Sequence, residues 1–142
     1  MGIEALSRGA AMVYFVESLA AAVEVIHENL QSLGTENSAQ VLKRDVLRAL
    51  RSLKSQGVTP DFIFLDPPYQ MQNAYRDTLK LLSESKLIAE QTRVVAEHLR
   101  KFNPGNQFGK LKRYRKLEQG DAALSFYALE KNPDSDCATL AE

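Results

Sequence analysis

The sequence predicts an α/β fold: a parallel sheet with helices on both faces, closed by an antiparallel hairpin. Three observations carry this expectation. Short apolar runs, rich in β-branched and aromatic residues, recur at residues 12–16, 62–65 and 94–96. Between them, apolar residues return at helical spacing. Beyond about residue 98 that spacing stops, and two strand-like segments flank Gln119-Gly120-Asp121. Alternating strands and helices argue for parallel pairing through helical crossovers. A glycine turn between two strand-like segments argues for a hairpin.

Taken in order, residues 2–8 read as a short helix closed by Gly9, a residue suited to a helix C-terminus. Met12-Val13-Tyr14-Phe15-Val16 reads as a strand buried on both faces. Leu19, Val23, Ile26 and Leu30 mark a helix that Gly34 ends. Val41 and Leu42 mark a short strand. Val46, Leu47, Leu50 and Leu53 form the stripe of a helix running out near Gly57. Phe62-Ile63-Phe64-Leu65 is a second buried strand, stopped by Pro67-Pro68. Tyr75, Leu79 and Leu82 give a third helical stripe, and Val94-Val95-Ala96 a further buried strand. Residues 108–117 and 122–129 are the hairpin strands. The predicted domain covers residues 1–131, and residues 132–142 form a polar tail.

The chain has 142 residues, 44% hydrophobic and 25% charged, which suits one soluble domain. No apolar run is long enough to span a bilayer, and the N-terminal stretch carries Glu4 and Arg8 where a signal peptide would be apolar. A cytoplasmic location is expected. Cys137 is the one cysteine, which excludes an internal disulfide and a cysteine metal cluster. Net charge is zero, so nucleic-acid binding must be argued from local features.

In open α/β sheets, ligands bind beyond the carboxyl ends of the strands. Glu17, Asp45, Asp66 and Glu97 fall at such ends or just before a helix. The sharpest motif is Asp66-Pro67-Pro68-Tyr69, directly after an apolar strand. The exocyclic amine of a base is a poor nucleophile, because its lone pair is delocalised into the ring. A carboxylate and a backbone carbonyl can accept its two N–H bonds and draw the nitrogen toward tetrahedral geometry. The prolines fix φ and donate no competing N–H. Tyr69 offers a face on which an extruded base can stack, worth ~1–3 kcal/mol per base. The competing reading of this tetrapeptide is a plain strand stop and turn.

Glu17 can accept both hydroxyls of a ribose, or simply favour the start of the following helix. Asp45 can accept from an adenine amino group, cap the next helix, or do both. Glu97 reads as structural. Lys110, Lys112, Arg113, Arg115 and Lys116 place five cations in seven residues. They read either as phosphate contacts or as a solvated sheet edge. His27 and His98 read as structural, and no metal-ligand cluster is evident.

Together these residues resemble the bacterial 16S rRNA guanine-N2 methyltransferases of the RsmD family. The resemblance rests on Gly2-Ile3-Glu4-Ala5-Leu6-Ser7-Arg8-Gly9-Ala10, Glu17, Asp45, Asp66-Pro67-Pro68-Tyr69 and Gly120-Asp121-Ala122-Ala123-Leu124-Ser125-Phe126-Tyr127. It implies a Rossmann-like class I sheet and S-adenosyl-L-methionine as methyl donor. It implies cofactor contacts from Gly2, Glu17, Asp45, Val46 and Asp66, and a guanine held by Asp66, Pro67, Pro68 and Tyr69. The implied partner is 16S rRNA or the assembling small subunit, with Lys110, Lys112, Arg113, Arg115 and Lys116 toward RNA. In that family a strand ending in Asp and a glycine-rich loop precede the segment matching Gly2. The chain is therefore expected to lack the first strand and loop, to bind cofactor poorly, and to leave the strands ending at Glu17 and Leu65 gaping or directly paired. The Asp66 tetrapeptide is shared with DNA adenine-N6 methyltransferases, the first rival. An inactive relic or RNA-binding module is the second.

Overall fold

A computed structural model describes residues 1–68 and 70–131. Tyr69, the polar tail and Cys137 lie outside the described residues. The chain divides into two compact units, Met1–Gln56 and Gly57–Glu142. No helix among the described residues is long and apolar enough to cross a membrane.

The first unit runs α1 (Gly2–Ser7), β1 (Val13–Val16), α2 (Ala20–Leu33), a 3₁₀ turn (Glu36–Ser38), β2 (Ala39–Leu42) and α3 (Val46–Ser55). β1 and β2 pair in parallel, with Val13 opposite Ala39 and Val16 opposite Leu42. The Glu17 amide continues the ladder to the Leu42 carbonyl at 3.1 Å. α2 buries Val23 and Leu30, and α3 buries Ala49 and Leu53. The α3 stripe therefore differs from the expected one: Val46 and Leu47 are exposed, and the small Ala49 lies against the core instead. Gly34 adopts φ 65°, the left-handed conformation that ends α2. A Cβ built on Gly2 would run into the far edge of the Phe15 ring, so a larger residue there requires that ring to shift.

The second unit runs β3 (Phe62–Leu65), α4 (Gln72–Glu84), β4 (Arg93–Leu99), β5 (Gln107–Phe108), β6 (Leu111–Gln119) and β7 (Ala122–Leu129). Its five described strands order as β3-β4-β7-β6-β5. β3 and β4 are parallel, while β7, β6 and β5 add antiparallel strands. Tyr75, Leu79 and Leu82 of α4 are buried, as the stripe predicts. They share a core with Val94, Ala96 and His98 of β4 and Ala123, Ser125 and Tyr127 of β7. Register places these six residues on one face, with Val94 opposite Tyr127 and Ala96 opposite Ser125. Each large apolar side chain in that core contributes roughly 1.5–3 kcal/mol through burial.

Three expectations are corrected. No residue of β1 or β3 is buried, and Phe62 is 75% exposed, although both strands are wholly apolar. The pairing supplies the reason: among the described strands, β1 is bonded only to β2, and β3 only to β4. β4 buries alternate residues, not all of them. The expected strand 108–117 is broken at Gly109, whose φ of 56° ends β5 and re-aims the chain into β6. β1 and β3 belong to different sheets among the described strands.

Candidate active site

Parallel pairing puts carboxylates at the carboxyl rim of each unit's sheet. In the first unit, Glu17 follows Val16, the partner of Leu42, and Asp45 follows the end of β2. Glu17 Oε1 accepts from the amides of Ser18 and Leu19, both at 3.0 Å. These donors stand at the entry to α2, where backbone N–H groups lack helical partners. They orient the carboxylate and leave Oε2 with no hydrogen bond among the described residues. Asp45 Oδ1 caps α3 by accepting from the Arg48 amide at 3.0 Å, and Oδ2 lies 3.4 Å from Arg48 Nε. The capping alternative read from the sequence is thus realised. The first α3 residue, Val46, is exposed.

In the second unit, Leu65 pairs with Ala96, so Asp66 leaves the end of β3 beside Glu97, which lies inside β4 and not at its end as the sequence suggested. Asp66 is exposed and takes no described hydrogen bond or ion pair. Pro67 and Pro68 have no N–H to anchor the loop. Donors from α4 and its entry do so instead. The Met71 amide donates to the Pro68 carbonyl at 2.8 Å. The buried Tyr75 hydroxyl lies 2.6 Å from the Glu97 carbonyl and 3.4 Å from the Pro67 carbonyl. Tyr75 and the Glu97 carbonyl were not singled out from the sequence. Tyr75 read as one member of an apolar stripe, and a backbone carbonyl carries no residue-type signal.

Behind this rim lies a buried polar chain. His98 Nδ1 is 2.8 Å from the Leu99 carbonyl, and Nε2 is 2.8 Å from Ser125 Oγ. A carbonyl only accepts, so Nδ1 carries the proton and Nε2 accepts from the serine. Burial pushes the imidazole below its usual pKa. The Leu99 bond raises it, and the charges of Lys116 and Arg113 lower it further. Arg113 donates to Ser125 Oγ at 3.3 Å, to Asn103 Oδ1 at 3.1 Å, and to Asn106 Oδ1. His98 is structural, as the sequence suggested, and its partner lies 27 residues away.

The cationic run does not form one patch. A bulge between Arg113 and Arg115 shifts the β6 register. Arg113 turns inward to its asparagines and serine. Lys112 sits 3.9 Å from Glu130, and Lys116 3.0 Å from Glu118. The Arg115 guanidinium lies 5.7 Å from the Phe126 ring centroid. Lys110 is exposed.

Comparison with known proteins gives one consistent picture. The family described as conserved hypothetical protein 95 matches residues 1–128. YlbH of Bacillus subtilis, named as a putative rRNA methyltransferase, is 35% identical over 127 residues, covering 89% of this chain and 68% of that protein. The ribosomal RNA small subunit methyltransferase D of Escherichia coli is 26% identical over 136 residues, covering 96% of this chain and 66% of that protein. The chain thus spans about two thirds of the length of these relatives. A conserved hypothetical protein of Streptococcus pyogenes superposes with a TM-score of 0.78 at 29% identity, covering 90% of this chain and 78% of that one. The structure of SMU.776, named as a putative methyltransferase and complexed with SAH, shares the fold alone: TM-score 0.69 at 12% identity, covering 89% of this chain and 41% of that one.

Proposed function

This chain belongs to the conserved hypothetical protein 95 family, the RsmD-like S-adenosylmethionine-dependent rRNA methyltransferases, and from that premise we propose that it methylates the exocyclic N2 amine of a guanine in 16S rRNA. The observation that carries the reading is the rim of β3. Asp66 presents an exposed carboxylate there, and the Pro67 carbonyl beside it receives only the long 3.4 Å bond from Tyr75 among the described residues. Asp66 accepts one amine N–H and the Pro67 carbonyl the other, and Asp66 takes the proton the methylated amine must lose. Tyr69 supplies the stacking face. S-adenosylmethionine, when bound, supplies the electrophilic methyl group.

The donor set at β1 fits a ribose: Glu17 is oriented by two amides through one oxygen and offers the other to a hydroxyl. Asp45 and Val46 serve the adenine side, Asp45 through lone pairs its capping bond does not use, and Gly2 lines the methionine side. Positioning two bound reactants supplies most of the acceleration. Residues 1–131 form the catalytic portion. Lys110, Lys112, Arg115 and Lys116 face RNA phosphates, while Arg113 tethers the sheet. Work on an assembling small subunit implies a cytoplasmic site of action.

The test is methyl transfer from radiolabelled S-adenosylmethionine to unmodified small subunits and, in parallel, to duplex DNA. Label in a single 16S guanine is the expected result. Label in DNA adenine would overturn the reading in favour of a DNA methyltransferase, and no label in either would favour a non-catalytic RNA-binding role.

A further inference from the structure

We propose that Tyr75 is a positioning residue for methyl transfer, its buried hydroxyl bridging the Glu97 and Pro67 carbonyls so as to fix the acceptor oxygen of the amine clamp. The inference rests on the reading of Asp66, Pro67 and Pro68 as that clamp.

The two prolines create the need. They supply no N–H, so the loop after β3 cannot anchor itself through its own donors. Two outside donors hold its carbonyls. The Met71 amide, at 2.8 Å, satisfies Pro68. Tyr75 reaches Pro67 from the first turns of α4. A phenol has one proton. At 2.6 Å the Glu97 carbonyl takes most of it, and Pro67 at 3.4 Å receives only a long share. The Pro67 oxygen is thereby located without being consumed, and it keeps acceptor capacity for an amine N–H.

The anchor is rigid. The Tyr75 ring is 1% exposed, packed 5.4 Å from Phe102 and edge-on to His98 at 6.3 Å. Glu97 is paired with Leu124 in the middle of the β4–β7 ladder. The hydroxyl therefore references the clamp carbonyl to the sheet, which fixes where the amine must sit relative to the strand ends.

The test compares Tyr75→Phe, which keeps the ring, with Leu82→Val, which loosens the same helix without touching the clamp. Protein carrying carbonyl-labelled proline is assayed on small subunits and by carbonyl NMR. In Tyr75→Phe the Pro67 resonance should move, and kcat should fall about ten- to a hundredfold while KM for S-adenosylmethionine stays constant. Leu82→Val should lower the melting temperature yet leave the Pro67 resonance and kcat in place. An unmoved Pro67 resonance and kcat in Tyr75→Phe, or an equal loss of kcat in Leu82→Val, would overturn the role of Tyr75 and leave the clamp reading standing. No turnover by the unsubstituted chain with S-adenosylmethionine shown by calorimetry to be bound would count against the clamp itself and take this role with it.

Discussion

Asp66 and Glu17 are both carboxylates at strand ends, yet their surroundings give them different work. Asp66 is exposed and unpaired among the described residues, so both oxygens are available. Replacing it with Ala should lower kcat by roughly a hundredfold or more, as loss of one preorganised polar group at a reacting centre does. Cofactor affinity should change far less, and calorimetry with S-adenosylmethionine alongside the rate assay separates the two. Glu17 has one oxygen committed to the Ser18 and Leu19 amides. Glu17→Gln retains an acceptor for those amides but turns an NH₂ toward the ribose. Calorimetry should show about tenfold weaker cofactor binding, the value of one charge-assisted hydrogen bond, with the melting temperature unchanged. Unchanged affinity would reduce Glu17 to a helix-start residue. These carboxylates were legible in the sequence because each follows an apolar run. Tyr75 was not: its partners stand 8 and 22 residues away, and no local pattern announces them.

At the scale of elements, α3 shows how one side chain sets a boundary. Asp45 caps it through the Arg48 amide. Asp45→Ala should destabilise the first unit by ~1 kcal/mol in urea titration, whereas Asp45→Asn, also a good cap, should cost little. Equal losses in both would show that the carboxylate charge, and not the cap, matters. The α4 stripe was read correctly because Tyr75, Leu79 and Leu82 all meet the sheet. In α3 the same reasoning chose Val46 and Leu47, which are exposed, and passed over Ala49. A stripe gives a helix its period, but the residues next to it decide which side is covered. The cations of β6 make the same point. Five in seven residues look like one patch, yet the bulge beside Tyr114 and the inward turn of Arg113 divide them.

For the whole molecule, stability should depend on pH through His98. Its folded pKa is lowered by burial below the ordinary value. The native state therefore holds a neutral imidazole while the unfolded chain protonates near pH ~6.5. The unfolded state binds more protons as pH falls through that value, so stability is present above it and is lost below, down to the folded pKa. Urea midpoints should drop between about pH 7 and 5, and His98→Gln should flatten that part of the profile. An identical acid slope in the variant would remove His98 as the cause.

What the sequence determined by itself is the order and type of the helices and longer strands, and that Glu17 and Asp66 follow directly on strand ends, while Glu97 proved to lie inside β4. Those are local properties, set by apolar period, glycine and proline. Tertiary structure alone decided that β1 and β3 stay half-exposed, that Arg113 holds two asparagines and a serine, and that the prolines borrow a hydroxyl from α4. Each depends on contacts between residues far apart in the chain. Burial and hydrogen-bond pairing are properties of the packed neighbours, and no stretch of sequence carries its neighbours with it.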